Sequence, residues 1–306
     1  MIGGNEINEL VSMLEDRQTC LYHACQLEDF QAYLRLGGIP SRAYLEQNRE
    51  CFTPFETDGI DQENKVWDKV FVNLSDFGEG FARGSMCVPN PYGPIVLQLR
   101  PSTLHETADV AVCLRTAGCL DFDRQQEALR RVSDIDDLFF YPPDSGFPES
   151  TYVKFSEQLR EINPRATNPE VSCSVEQGFL PIDDVIVAWV DPYEISGRPL
   201  MAWVQEAMIE AGADFKVHER SCREDRRELY GELLAVIYPE TLSLHDIVNG
   251  FDAGHSTRLW AEEILANGLA YQFRRFANYL LEGTIQPLAA RTCDEEMKRE
   301  ELSLYA

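Results

Sequence analysis

The sequence predicts a mixed α+β fold over residues 1–218, followed by a helical region over residues 219–306. Three observations carry that expectation. KVFVNL, IVLQL and VIVAWV are short β-branched runs of strand length. Leu27, Phe30 and Leu34 recur at helical spacing ahead of Gly37 and Gly38, where a glycine ends a helix. Past residue 218 the strand signals give way to ERSCREDRRELYGELLAVI and STRLWAEEILANGLAYQFRRFANYLLEG, both of helical composition.

Taken in order, residues 5–18 read as an acidic leading helix and Thr19 to Ala24 as a short strand. The helix from Leu27 follows, then a restart at Ile39-Pro40-Ser41 and a short helix from Arg42 to Arg49. The polar segment 53–65 reads as a mobile loop. Strands are expected at Lys69 to Leu74, Ile95 to Leu99 and 110–115, with the glycine-rich GEGFARG (78–84) as a turn and helix start between the first two. That glycine spacing fits neither a Rossmann nor a P-loop phosphate cradle. Glu127 to Phe140 reads as helix, YPPDSGFPES as a loop, and Tyr152 to Ile162 as helix. EVSCSVEQGFLP leads to the strand 185–190, and the helix LMAWVQEAMIEAG and the strand FKVHE close the region.

Composition excludes several classes of function. The 306 residues carry 27 basic and 52 acidic side chains, a net charge of −25, which rules out nucleic-acid binding by overall positive charge and favours solubility. Residues 219–306 hold 10 basic against 16 acidic residues, so most of the negative charge lies in the first 218. Hydrophobic residues at 44% suffice for a core. No run approaches the ~20 apolar residues of a membrane span, and MIGGNEINELVSMLEDRQ has no secretory pattern. The nine cysteines are scattered without a CxxC pair, and the five histidines lack metal-ligand spacing, so reduced thiols in a cytoplasmic protein without a metal are expected.

The order of segments carries more. Tyr22-His23 followed by LEDFQAYLRLGGIPSR, then KVFVNLSDFGEGFARG, GPIVLQL and NPEVSCSVEQGFLPIDDVIVAWV, resembles the DarT-type ADP-ribosyltransferase toxins, including related phage-defence enzymes that modify RNA. The likeness spans roughly residues 20–218. It implies a split β-sheet core, a catalytic domain over 1–218 and a helical accessory region over 219–306. It also implies NAD as co-substrate, with transfer of ADP-ribose to a nucleobase in single-stranded DNA or RNA, in a toxin–antitoxin or phage-defence setting. An antitoxin and a chaperone are the implied protein partners. Cleaving the nicotinamide–ribose bond expels an already cationic ring, so no general acid is needed; one carboxylate beside the developing oxocarbenium ion is.

By this resemblance Glu170, opening a strand in Pro169-Glu170-Val171, is the catalytic carboxylate, and His23 bonds a ribose of NAD. Arg49 stands where the family places a catalytic arginine, with Arg42 as its rival on the same helix. Phe71, Ser75 and Phe77 lie where nicotinamide would be held, and Tyr92 and Tyr141 where an acceptor would approach. The sequence departs from the family where the toxins carry His-x-x-Asn: Leu27-Glu28-Asp29 stands there, so the asparagine contact with NAD is either absent or replaced by Asp29. Each residue also has a plain structural reading: a solvated strand-edge glutamate, a core histidine, a surface arginine, a core phenylalanine. His105, His218 and His255 read as core or surface residues. Arg220, Arg223, Arg226 and Arg227, and the pair Arg274-Arg275, read as helix-surface ion pairs. Two other functions stay open: transfer to protein side chains, and a non-catalytic module of the same fold that binds partners.

Overall fold

The computed structural model describes residues 1–53, 57–76, 93–140, 153–154, 156–166, 169–192, 194–195 and 197–220. The expected helical region beyond residue 220, the GEGFARG turn and Phe77, Tyr92, Tyr141 and His255 lie outside them.

The described chain is a mixed α/β structure built on one large sheet. Strand β1 (Ile2–Gly3) precedes helix α1 (Asn5–Asp16), whose buried Ile7, Leu10, Val11 and Leu14 form one stripe at helical spacing. Strand β2 (Leu21–Cys25) feeds helix α2 (Leu27–Leu36), which ends on Gly37 at φ 74°, a left-handed cap that costs glycine no Cβ clash. Strand β3 (Gly38–Pro40) leads to Ser41, whose hydroxyl accepts from the Tyr44 N–H at 3.2 Å and caps helix α3 (Arg42–Gln47).

The stretch expected as a loop over 53–65 contains helix α4 (Asp58–Glu63), with Asp58 and Asp61 in its first turn, where the helix dipole favours negative charge. Its composition is polar because only Val66, just beyond its end, is driven into the interior. Strands β4 (Lys69–Asn73), β5 (Ile95–Leu99) and β6 (Thr107–Cys113) follow. In place of one helix over 127–140, two short ones form: α5 (Arg124–Glu127), capped by Asp123, and α6 (Val132–Asp136). Helix α7 (Ser156–Ile162), strands β7 (Glu170–Val175), β8 (Phe179–Pro181) and β9 (Val185–Val190), the small hairpin β10 (Glu194–Ile195) and β11 (Arg198–Pro199), helix α8 (Leu200–Ala211) and strand β12 (Lys216–Glu219) complete the described chain.

Eight strands form the sheet in the order β1-β6-β7-β4-β2-β5-β9-β12, antiparallel except for β9 and β12. Its two halves are joined unevenly. β4 pairs with β7 over five residues and β2 with β5 over five, yet β2 meets β4 at Tyr22↔Asn73 alone. The sheet is therefore hydrogen-bonded through as one, but opens where its halves meet.

Register assigns the two faces of the first half. Val70 and Val72, Val171 and Cys173, and Val110 and Val112 turn into the main core, which α1 and α2 also line. The opposite face carries Phe71 and Asn73, Glu170 and Ser172, and Ala111 and Cys113. A smaller core of Val66, Ala111, Cys113, Ala117, Phe122 and Ala128 covers part of that face.

Candidate active site

Glu170 opens β7 between Asn73 of β4 and Cys113 of β6. Tyr22, Asn73 and Glu170 stand side by side across the sheet, so Glu170 lies two strand spacings, ~10 Å, from the backbone of Tyr22 and His23. Its Oε2 accepts from the Ala117 N–H at 2.8 Å. Burial pushes the Glu170 carboxyl up to about 7; the Ala117 N–H opposes that rise and the charge of Asp61 adds to it. Cys113, beside it, is pushed up to about 12 by burial and then by Glu170, which leaves a neutral thiol there at neutral pH.

The 170 end of β7 is fixed on the face that Glu170 and Ser172 share. Arg124 donates through Nε to Ser172 Oγ at 2.8 Å, and through Nη2 to the Ser172 carbonyl at 2.9 Å and to Asp109 Oδ1 at 2.6 Å. The loop after β6 that carries Ala117 is held in turn by Asn64, whose Nδ2 donates to the carbonyls of Ala117 at 2.8 Å and Cys119 at 3.0 Å.

On the other side of the opening, His23 bridges the halves. Its Nδ1 lies 2.7 Å from the Phe71 carbonyl, which can only accept, so Nδ1 carries the proton. Burial lowers the His23 pKa, so the ring is neutral and its Nε2 accepts from the Tyr33 hydroxyl at 3.1 Å. Both ring nitrogens are thus engaged by protein groups, and the Phe71 carbonyl, rather than its ring, meets the histidine. The Phe71 ring packs against the smaller core around Ala111 and Ala117.

Asp29 is buried on α2, accepting from the Thr53 N–H at 2.9 Å and from Arg42 Nη1 at 3.4 Å. Arg42 also sits with its guanidinium carbon 4.8 Å from the centre of the Phe52 ring. Burial works against the Arg42 charge, but Asp29, Tyr33 and Asp58 outweigh it and hold the guanidinium protonated. Arg49 stands apart, exposed beyond the end of α3 at φ 56°. Of the two arginines, Arg42 is the one paired with buried Asp29 and close enough for its charge to act on His23. Ser75 is half-buried just past β4, next to Asp76, which Arg220 grips through both carboxylate oxygens at 2.7 and 2.6 Å. That grip, with Asp191 at 3.7 Å, makes Arg220 a buried ion-paired residue. His105 and His218 are exposed.

Asp61, Tyr33 and Asn64 were not singled out from the sequence. Asp61 is partly buried on α4, and its carboxyl is pushed up to about 6 by burial first and then by Asp58, with Thr57 and Arg42 opposing. The signal for it was the helical spacing of Thr57, Asp61 and Asn64, which puts one polar face on a segment that otherwise reads as loop. Together these groups give a half-buried Glu170 carboxyl that burial raises to about 7, with the charge of Asp61, itself raised to about 6 and opposed by Arg42, adding to that rise. Among the described residues no group of three His, Cys, Asp or Glu side chains is arranged to hold a metal ion, and no helix is long and apolar enough to cross a membrane.

No family model matches the sequence, and no curated protein does. Among solved structures, the DarT of Thermus sp. 2.9 in complex with ADP-ribosylated ssDNA is similar to this chain at 12% sequence identity and a TM-score of 0.36, over 72% of this chain and 97% of that one.

Proposed function

We propose that this chain is an NAD-dependent mono-ADP-ribosyltransferase that modifies nucleobases of single-stranded DNA or RNA, as a toxin of a toxin–antitoxin or phage-defence system. One observation supports it above the rest: the sheet opens at the single Tyr22↔Asn73 bridge, with Glu170 next in the same row and His23 spanning the opening. The segments that carry the family resemblance are the ones that build this opening.

The chemistry asked of the site is limited. The bond between nicotinamide nitrogen and ribose C1′ breaks, and its electron pair neutralises the pyridinium. The sugar carbon, now cationic in character, accepts the lone pair of a base nitrogen, which gives up a proton. Glu170 serves both steps: as a carboxylate it stabilises the positive sugar, and as a base it takes the proton. A carboxyl that titrates near 7 is matched to proton uptake at neutral pH. Arg42 supplies a permanent charge suited to the diphosphate, oriented by Asp29. Asp29 therefore serves through Arg42 rather than by touching NAD, and a ribose hydroxyl reaching His23 exchanges with the Tyr33 hydroxyl at Nε2. A base stacked in a duplex cannot approach such a site, so the acceptor is single-stranded.

Labelled NAD offered with single-stranded DNA, RNA and lysate protein in separate pools tests the reading. Label on nucleic acid, lost in Glu170→Gln, is expected. Label on protein alone removes the nucleobase acceptor, and no label in any pool removes the transferase.

A further inference from the structure

Helix α4 has one face turned on the loop that holds Glu170. Thr57, Asp61 and Asn64 recur at i, i+4 and i+7, so their side chains share a stripe. Both ends of that stripe touch the 116–119 loop. At one end Thr57 lies so close to Gly118 that a Cβ there would come within 2.5 Å of the Thr57 methyl. At the other, Asn64 bonds the carbonyls of Ala117 and Cys119. The same Ala117 turns its N–H to Glu170. Asp61 lies between the two anchor points. Its Oδ2 accepts from the Thr57 hydroxyl at 3.4 Å, while its Oδ1 is buried and takes no hydrogen bond among the described residues.

We propose that Asp61 is a positioning residue whose carboxylate, held by the Thr57–Asn64 face of α4, acts on Glu170 to make it a stronger base for the acceptor's proton. This rests on the reading of Glu170 as the base of a transferase. When the acceptor nitrogen bonds C1′ and nicotinamide leaves with the glycosidic electron pair, the N–H proton passes to Glu170. A negative Asp61 nearby favours that transfer, because it disfavours the ionised form of its neighbour. Among the described residues, the other ionisable groups acting on the pair or on the thiol beside it are Asp58 and Arg42 on the Asp61 side, the Cys113 thiol beside Glu170, and Arg124, Glu127 and the Met1 amino terminus beyond the thiol. Burial and Asp58 raise the Asp61 carboxyl, while the Thr57 hydroxyl and Arg42 favour its ionised form.

The test follows the Glu170 carboxyl resonance by carbon-13 NMR across pH in the full chain, alongside the pH profile of NAD turnover. Asp61→Asn is expected to lower the Glu170 midpoint by roughly half a pH unit or more, and to move the acid limb of turnover down with it. Asp61→Ser carries the same expectation and guards against a fault peculiar to the amide. An unchanged Glu170 midpoint in a folded variant overturns the proposal whether or not the chain consumes NAD. A lowered midpoint in a chain whose wild type consumes no NAD upholds the coupling and removes the transferase reading instead.

Discussion

Replacing Glu170 with glutamine should stabilise the protein, and by an amount that depends on pH. The carboxyl is raised from 4.5 to about 7 in the folded chain, so the folded state binds a proton that the unfolded state releases between those values. Stability contributed by an acid raised in this way is complete below its unfolded pKa and is lost as pH climbs through the folded one. The rise from 4.5 to about 7 is a cost of about 3 kcal/mol at pH 8, against well under ~1 kcal/mol at pH 4.5. Glutamine carries no charge and keeps a carbonyl for the Ala117 N–H, so it removes the cost and retains the hydrogen bond. Guanidinium denaturation of wild type and Glu170→Gln at pH 4.5 and pH 8 reads this out. Near-equal midpoints at pH 4.5 and a clearly more resistant variant at pH 8 are expected. A variant as weak as wild type at pH 8, or one offset equally at both pH values, would refute the reasoning. The same substitution abolishes transfer under the proposed function, so activity and stability should part company at this residue.

Three further outcomes follow from the geometry. Arg42→Ala should lower NAD turnover by about 100-fold or more, as loss of a charged clamp does, while Arg49→Ala stays within about threefold of wild type; equal losses in steady-state assays would return Arg49 to the site. Asn64→Ala removes two hydrogen bonds to the loop behind Glu170 and should cost about 1–2 kcal/mol in denaturant melts, with a turnover loss of roughly tenfold. Gly93→Ala would place a Cβ 2.3 Å from the Cys25 carbonyl carbon at a φ of 142°, and should destabilise the chain by about 2 kcal/mol or more, measured by thermal unfolding.

Strands β4, β5 and β9 were legible because burial on the core side writes β-branched runs into the sequence, β2 and β7 because of their place in the order of segments, and α1 and α2 because their apolar stripes keep helical period. Helix α4 was not, because its contact face is polar: Thr57, Asp61 and Asn64 meet loop backbone, and no hydrophobic repeat marks them. The choice between Arg42 and Arg49 was closed to sequence for a related reason. The two stand seven residues apart, about two helical turns, so spacing treats them alike. What separates them is Asp29, thirteen residues from Arg42 on another helix, together with the end of α3 at Gln47, which leaves Arg49 on an exposed turn. Glu170 could be found by order along the chain, but its partners could not. Ala117 is 53 residues away in sequence, and Asp61, whose charge acts on Glu170, lies on a helix that the sequence reads as loop.

His23 shows why a site of this kind also has to be built from structural compensation. Where two strands diverge after one bridge, the backbone groups facing the gap lose their ladder partners, and a buried carbonyl without a donor costs about 1–3 kcal/mol. The Phe71 carbonyl is such a group, and the imidazole Nδ1 supplies the missing donor from the neighbouring strand. Tyr33 then satisfies the remaining ring nitrogen, and burial keeps the ring neutral, so the halves are tied together without adding charge to the gap. The opening therefore needs a residue that donates on one side, accepts on the other and spans a strand spacing. Asparagine has the hydrogen-bonding groups but not the reach, and phenylalanine has the reach but not the groups. That requirement holds His23 in place, in the middle of β2, on structural grounds alone.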